Sequence, residues 1–87
     1  RSIHYEITGR KTHDEVAVAL HLERDALIQN DVFVSELRKC LKKQNYIFNV
    51  NDEKIEVVVV NCPISNFNHV FDLLIQESIE VLEKFAK

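Results

Sequence analysis

The sequence predicts an α+β fold: one small domain spanning residues 1–87, of order β-α-α-β-β-α, with a three-stranded sheet packed by helices. Three observations point there. An alternating run opens the chain, a second alternating pair fills its middle, and helix-phased segments separate and follow them. Eighty-seven residues leave no room for a second core. One Gly and one Pro supply too few sharp turns for a sandwich of many short strands.

Residues 2–8, SIHYEIT, place Ile3, Tyr5 and Ile7 on one side and His4, Glu6 and Thr8 on the other, as in a half-buried strand. Gly9 ends it. Thr12 with Glu15 three residues on has the spacing of a capping box, which predicts a helix from near His13. Its apolar residues, Val16, Val18, Leu20, Leu22 and Leu27 with Ala19 and Ala26 between, form an arc broad enough to touch two neighbours. Asn30 and Asp31 interrupt that pattern, and a second helix is expected over about 32–44. YIFNVNDEKIEVVVVN then forms a hairpin around Asn51–Lys54. Tyr46, Phe48 and Val50 line one face with Ile55, Val57 and Val59, while Val58 and Val60 make the second arm apolar on both sides. Pro63 closes that strand, and Ser65 or Asn66 starts a last helix running to about Phe85.

A net charge of −3 argues mildly against a nucleic-acid partner. Cys40 and Cys62 lack CxxC spacing and are expected as free thiols, Cys40 in the core, in a reducing intracellular compartment, cytoplasmic or nuclear. No apolar run nears the roughly 20 residues of a membrane span, and no signal peptide is legible. The chain opens on Arg1 without Met, as a fragment or processed product does.

RKCLKKQ, residues 38–44, is the most basic stretch. At 100° per residue Phe33, Val34, Leu37, Cys40 and Leu41 fall on one side of a helix, with Arg38, Lys39, Lys42 and Lys43 on the other. Cations in the last turns also suit the helix dipole, so a solvated face explains them without a partner. An RNA- or DNA-binding role would join them to Arg10 and Lys11. The order β-α-α-β-β-α is similar to that of the type I KH RNA-binding domain, whose Gly-x-x-Gly clamp joins its first two helices. The corresponding junction here, IQNDV, has no glycine. TGRKT lacks the upstream glycine and the order of a phosphate-binding loop.

Four histidines, His4, His13, His21 and His69, form no dense ligand motif. His21 with Asp25, at helical i, i+4 spacing, and His4 with Glu6, on one strand face, are the nearest pairings, and both read as solvent-facing. Cys62 with His69 is the one Cys/His pairing, and the valines before Cys62 suggest burial and not nucleophilicity. No catalytic residue, cofactor or metal is expected, and the domain is read as a non-enzyme.

The last helix carries the strongest functional signal. Phe67, Val70, Phe71, Leu74, Ile75, Ile79, Val81, Leu82 and Phe85 spread over an arc of about 180°, wider than the usual stripe of about 100°. Leu73 stands apart among the polar residues. The expectation is a protein-interaction or oligomerisation module, most simply a homo-oligomer. Its surface would combine Val70, Leu73, Ile75, Ile79 and Leu82 of the helix with Ile47, Val58 and Val60 of the sheet.

Overall fold

A computed structural model describes residues 3–12 and 14–87, with the backbone alone for 8–12. The order is β-β-α-β-β-α: β1 (Ile3–Thr12), β2 (Glu15–Glu23), α1 (Asn30–Cys40), β3 (Ile47–Val50), β4 (Lys54–Pro63) and α2 (Phe67–Phe85). The α+β class holds. The sheet, however, has four strands in the order β1-β2-β4-β3, all neighbours antiparallel. The expected three strands and β-α-α-β-β-α order are corrected, and with that order goes the topological likeness to the KH domain.

The correction lies in residues 15–23. Val16, Val18, Leu20 and Leu22 alternate at the period of a strand, and all four are buried. Ala17 and Ala19 fill the opposite face and, being apolar, blur the alternation into what looks like a wide helical arc. Thr12 and Glu15, spaced like a capping box, are the closing pair of the β1–β2 hairpin.

Helix α1 begins at Asn30 and ends at Cys40, four residues short of the expected end. Its N-cap residue, Gln29, is left-handed at φ 47°. Leu41 leaves the helix and takes the buried position, so Cys40 is exposed and not in the core. Lys42 and Lys43 follow in the loop. Strands β2 and β3 run parallel with β4 between them, because each is antiparallel to β4.

The core lies between the sheet and both helices. Leu20 faces Val57 and Leu22 faces Ile55 across the two central strands, under Phe33 and Leu37 of α1 and Leu74 and Phe85 of α2. Beyond Val59 the register slips: Val18 pairs with Val59, but Val16 pairs with Cys62. Asn61, at φ 55°, sits within the bulge, a conformation Asn tolerates better than most residues. The slip turns Cys62 inward beside Val16, Val18 and Val70.

Two polar contacts tie α2 to its neighbours. Ser78, wholly buried, donates to the Leu74 carbonyl and receives the Tyr5 hydroxyl at 2.7 Å. On the other flank Tyr46 donates to Glu77 Oε1 at 2.8 Å and accepts from Gln44 Nε2 at 2.9 Å. The chain end is pinned by Ile28 N to Phe85 O and Lys87 N to Ala26 O. Among the described residues no helix is long and apolar enough to cross a membrane.

Tyr5→Phe removes the hydroxyl but leaves Ser78 its bond to Leu74, so it should cost about 0.5–1.5 kcal/mol in urea denaturation. Burial raises the pKa of Tyr5 despite the Ser78 bond. For Tyr46, burial first, opposed by the Gln44 amide and aided by the Glu77 carboxylate, pushes it up to about 12. A folded pKa above the unfolded one means that the unfolded chain releases its proton first. The contribution is therefore complete below pH of about 10 and lost as pH climbs towards the folded value. Melting curves between pH 9 and 12 should show stability falling, with a shallower fall in Tyr46→Phe.

Candidate functional site

Both helices cover the same face of the sheet, the one bearing Leu20, Leu22, Ile55 and Val57. Three surfaces remain: the basic end of α1, the flank of α2 beside β1, and the uncovered outer sheet face.

The basic side chains that are described have different surroundings. Arg38 places its guanidinium 4.2 Å from the centre of the Phe48 ring. Lys39 Nζ lies 3.9 Å from Glu36 Oε1 on its own helix. Lys42 and Lys43 stand past the helix end, and the Lys42 amide donates to Glu77 Oε2. The side chains of Arg10 and Lys11 lie outside the described residues.

The apolar residues expected to meet a partner divide three ways. Val70 and Leu82, at 6% and 5% exposure, are core residues and unavailable to a partner; α2 turns both inward under the sheet and α1. Ile79 is 38% exposed and Ile75 half-buried, on the flank of α2 that follows Phe71 and Ser78 towards Tyr5. Leu73 is half-buried on the far side of the helix. Ile47 pairs with Val58 on the outer sheet face, and Val60 follows along β4. The sheet places beside the α2 flank two residues that the sequence reading did not include. Ile3 and Ile7 share the helix side of β1 with Tyr5 and are exposed, Ile7 at 48%, because β1 is an edge strand.

The outer sheet face holds a constellation that a helical reading of residues 15–23 hid. His4, His21, Glu56 and Asn49 form one row across all four strands. His4 and His21 stack with ring centres 4.9 Å apart. His4 Nε2 is 3.3 Å from Glu6 Oε2, and His21 Nδ1 is 3.4 Å from Glu56 Oε2. Lys54 Nζ approaches the other oxygen, Glu56 Oε1, at 3.5 Å. His21 does not share a helix face with Asp25: it is a strand residue, and Asp25 belongs to the turn beyond. Alternation through VAVALHL, carried on to His21, is the signal that would have placed it opposite His4. A shallow depression next to His21 is lined by Glu23, Asp25, Asp52 and Glu53 as well as Arg24 and Lys54, so the surroundings are net acidic.

Cys62 is buried, and burial raises its thiol pKa, which disfavours the thiolate. His69 is exposed in the first turn of α2. No protein-family model, curated protein or solved structure matches this chain.

The basic end of α1 separates anchored from solvated charge. Arg38→Gln should cost about 0.5–1 kcal/mol by losing its contact with Phe48, whereas Lys43→Gln should change stability by less than about 0.5 kcal/mol. Paired urea titrations measure both.

Proposed function

We propose that this domain is a non-catalytic self-association module, in which two copies join through the free edge of β1 and the adjoining flank of α2. The observation that supports it most is the difference between the two edge strands. Strand β3 is four residues long, a short edge that offers little to a second sheet. Strand β1 runs ten residues, an edge of about 33 Å. Its Ile3–Ile7 half contains neither Lys nor Pro, the residues that commonly blunt an edge.

Main-chain groups on the free side of β1 suit an added antiparallel strand. Such pairing about a twofold axis is self-complementary, so an identical β1 satisfies it without a different partner. Ile3 and Ile7 point to the helix side, where Ile75 and Ile79 continue the apolar strip. A second copy covering that strip accounts for the excess width of the α2 apolar arc. Arg10 and Lys11 stand in the far half of β1 and favour pairing through the near half.

Light scattering coupled to gel filtration, at two concentrations, tests this. The wild type should elute with the mass of two chains. Ile7→Lys and Ile79→Glu should each give a monomer with an unchanged circular dichroism spectrum, while Val60→Lys, on the outer face, should leave the dimer intact. A monomeric wild type, or a dimer broken by Val60→Lys alone, would sink the proposal. A mass shift only on adding RNA or DNA would favour the basic residues instead.

A further inference from the structure

We propose that His21, Glu56 and Glu6, with His4 as fourth ligand, form a binding site for a divalent transition-metal ion of the zinc class on the outer face of the sheet. One ligand atom each from Glu6, His21 and Glu56 already lies within 4.8 Å of the others. A four-coordinate ion with bonds of about 2.0–2.2 Å sets its ligand atoms about 3.3–3.6 Å apart. The His21 Nδ1 to Glu56 Oε2 and His4 Nε2 to Glu6 Oε2 separations, 3.4 and 3.3 Å, match that edge. His4 lies outside that group of three, stacked on His21, and joins it by rotation of its side chain on the sheet.

The backbone makes this convergence inexpensive in entropy. His4 is registered opposite His21, His21 opposite Glu56, and Glu6 follows two residues along β1 on the same face. Directly opposed side chains have Cβ atoms about 4.5–5.5 Å apart, so their tips can share one ion. The Glu6, His21 and Glu56 side chains are half-buried, which limits competition from water. Two imidazoles and two carboxylates suit zinc, cobalt, nickel or copper; magnesium and calcium prefer all-oxygen sets. Lys54 holds Glu56 Oε1 and so leaves Oε2 for the ion, while its ammonium nearby weakens cation binding. The net-acidic depression next to His21 works in the opposite direction.

An ion held here fastens β1, β2 and β4 to one another on the side of the sheet opposite the helices. The site rests on its own geometry and does not depend on how the β1 edge is used.

Cobalt(II) is the probe, because a four-coordinate cobalt site absorbs strongly in the visible. Titration of the full chain with cobalt chloride should give one ion per chain, displaced by zinc and not by magnesium. His21→Ala should abolish the bands, and the isosteric Glu56→Gln should weaken binding by about tenfold or more, with circular dichroism confirming the fold of each. His69→Ala and Cys40→Ser should bind as the wild type does. Absence of uptake by the wild type at cobalt concentrations of about 100 μM, above the micromolar affinity expected of a charge-opposed surface site, would overturn the proposal. Undiminished uptake by His21→Ala, or loss of uptake in Cys40→Ser, would do so equally.

Discussion

The pairing of β2 with β4 is the constraint on which the molecule depends. It joins two halves of the same kind, each a hairpin followed by a helix, into one sheet along this seam. Val18 meets Val59, Leu20 meets Val57 and Leu22 meets Ile55, and none of the six exceeds 9% exposure. A two-stranded hairpin is marginal in water, so neither half has a stable sheet without the seam. Once the seam forms, both helices must lie on the side to which these side chains point. The opposite face is then left open, and β1 and β3 become the edges.

That arrangement distributes two chemistries along β1. Odd residues, Ile3, Tyr5 and Ile7, face the helices, and even residues, His4 and Glu6, face outward. Tyr5 anchors the strand to α2 through Ser78, and its ring meets Phe71 edge-on with centres 6.1 Å apart. A hydroxyl inside a buried helix face is otherwise a cost, since it must find a partner away from water. Here it finds two, and the second lies on the edge strand. The edge is held firmly while the isoleucines beside it stay uncovered. Firmness matters for recognition, because an ordered strand loses less conformational entropy on pairing than a frayed one.

Much of this was legible in the residues. The β3–β4 hairpin, the shared face of Phe48, Val50, Ile55, Val57 and Val59, the stop at Pro63 and the extent of α2 all follow from period and turn chemistry. Asn51 illustrates why: its side-chain oxygen accepts from the amides of Glu53 and Lys54, a local bond that needs no tertiary context. Strand β2 was not legible, because small apolar residues on its outer face gave it the composition of a helix. Ala19, wholly buried between Glu6 and Val58 in the register, is small because the neighbouring side chains close over it. The His and Glu constellation went with it, since register across strands is invisible until the strand is recognised. The inward turn of Cys62 was hidden for a different reason: a bulge at Asn61 shifts the alternation by one residue, and nothing in a period-two pattern announces the shift.

The width of the α2 apolar arc follows from where the helix sits. Its centre, Leu74, Ser78, Val81 and Phe85, is buried. One margin, Glu77, is engaged by Tyr46 and the Lys42 amide, so that side is closed by polar contacts with the β3 side of the molecule. The other margin, Ile75 and Ile79, extends past Tyr5 towards an edge beyond which the described residues place no further strand. Had the sheet continued outward, those isoleucines would have had a floor to rest on. Ile79 is 38% exposed and Ile75 less, so covering what remains of each would contribute about a third or less of the roughly 1.5–3 kcal/mol of complete burial. In the proposed dimer, a strand contributed by a second copy supplies that floor, satisfies the main chain of β1 and leaves the outer row of histidines and glutamates untouched.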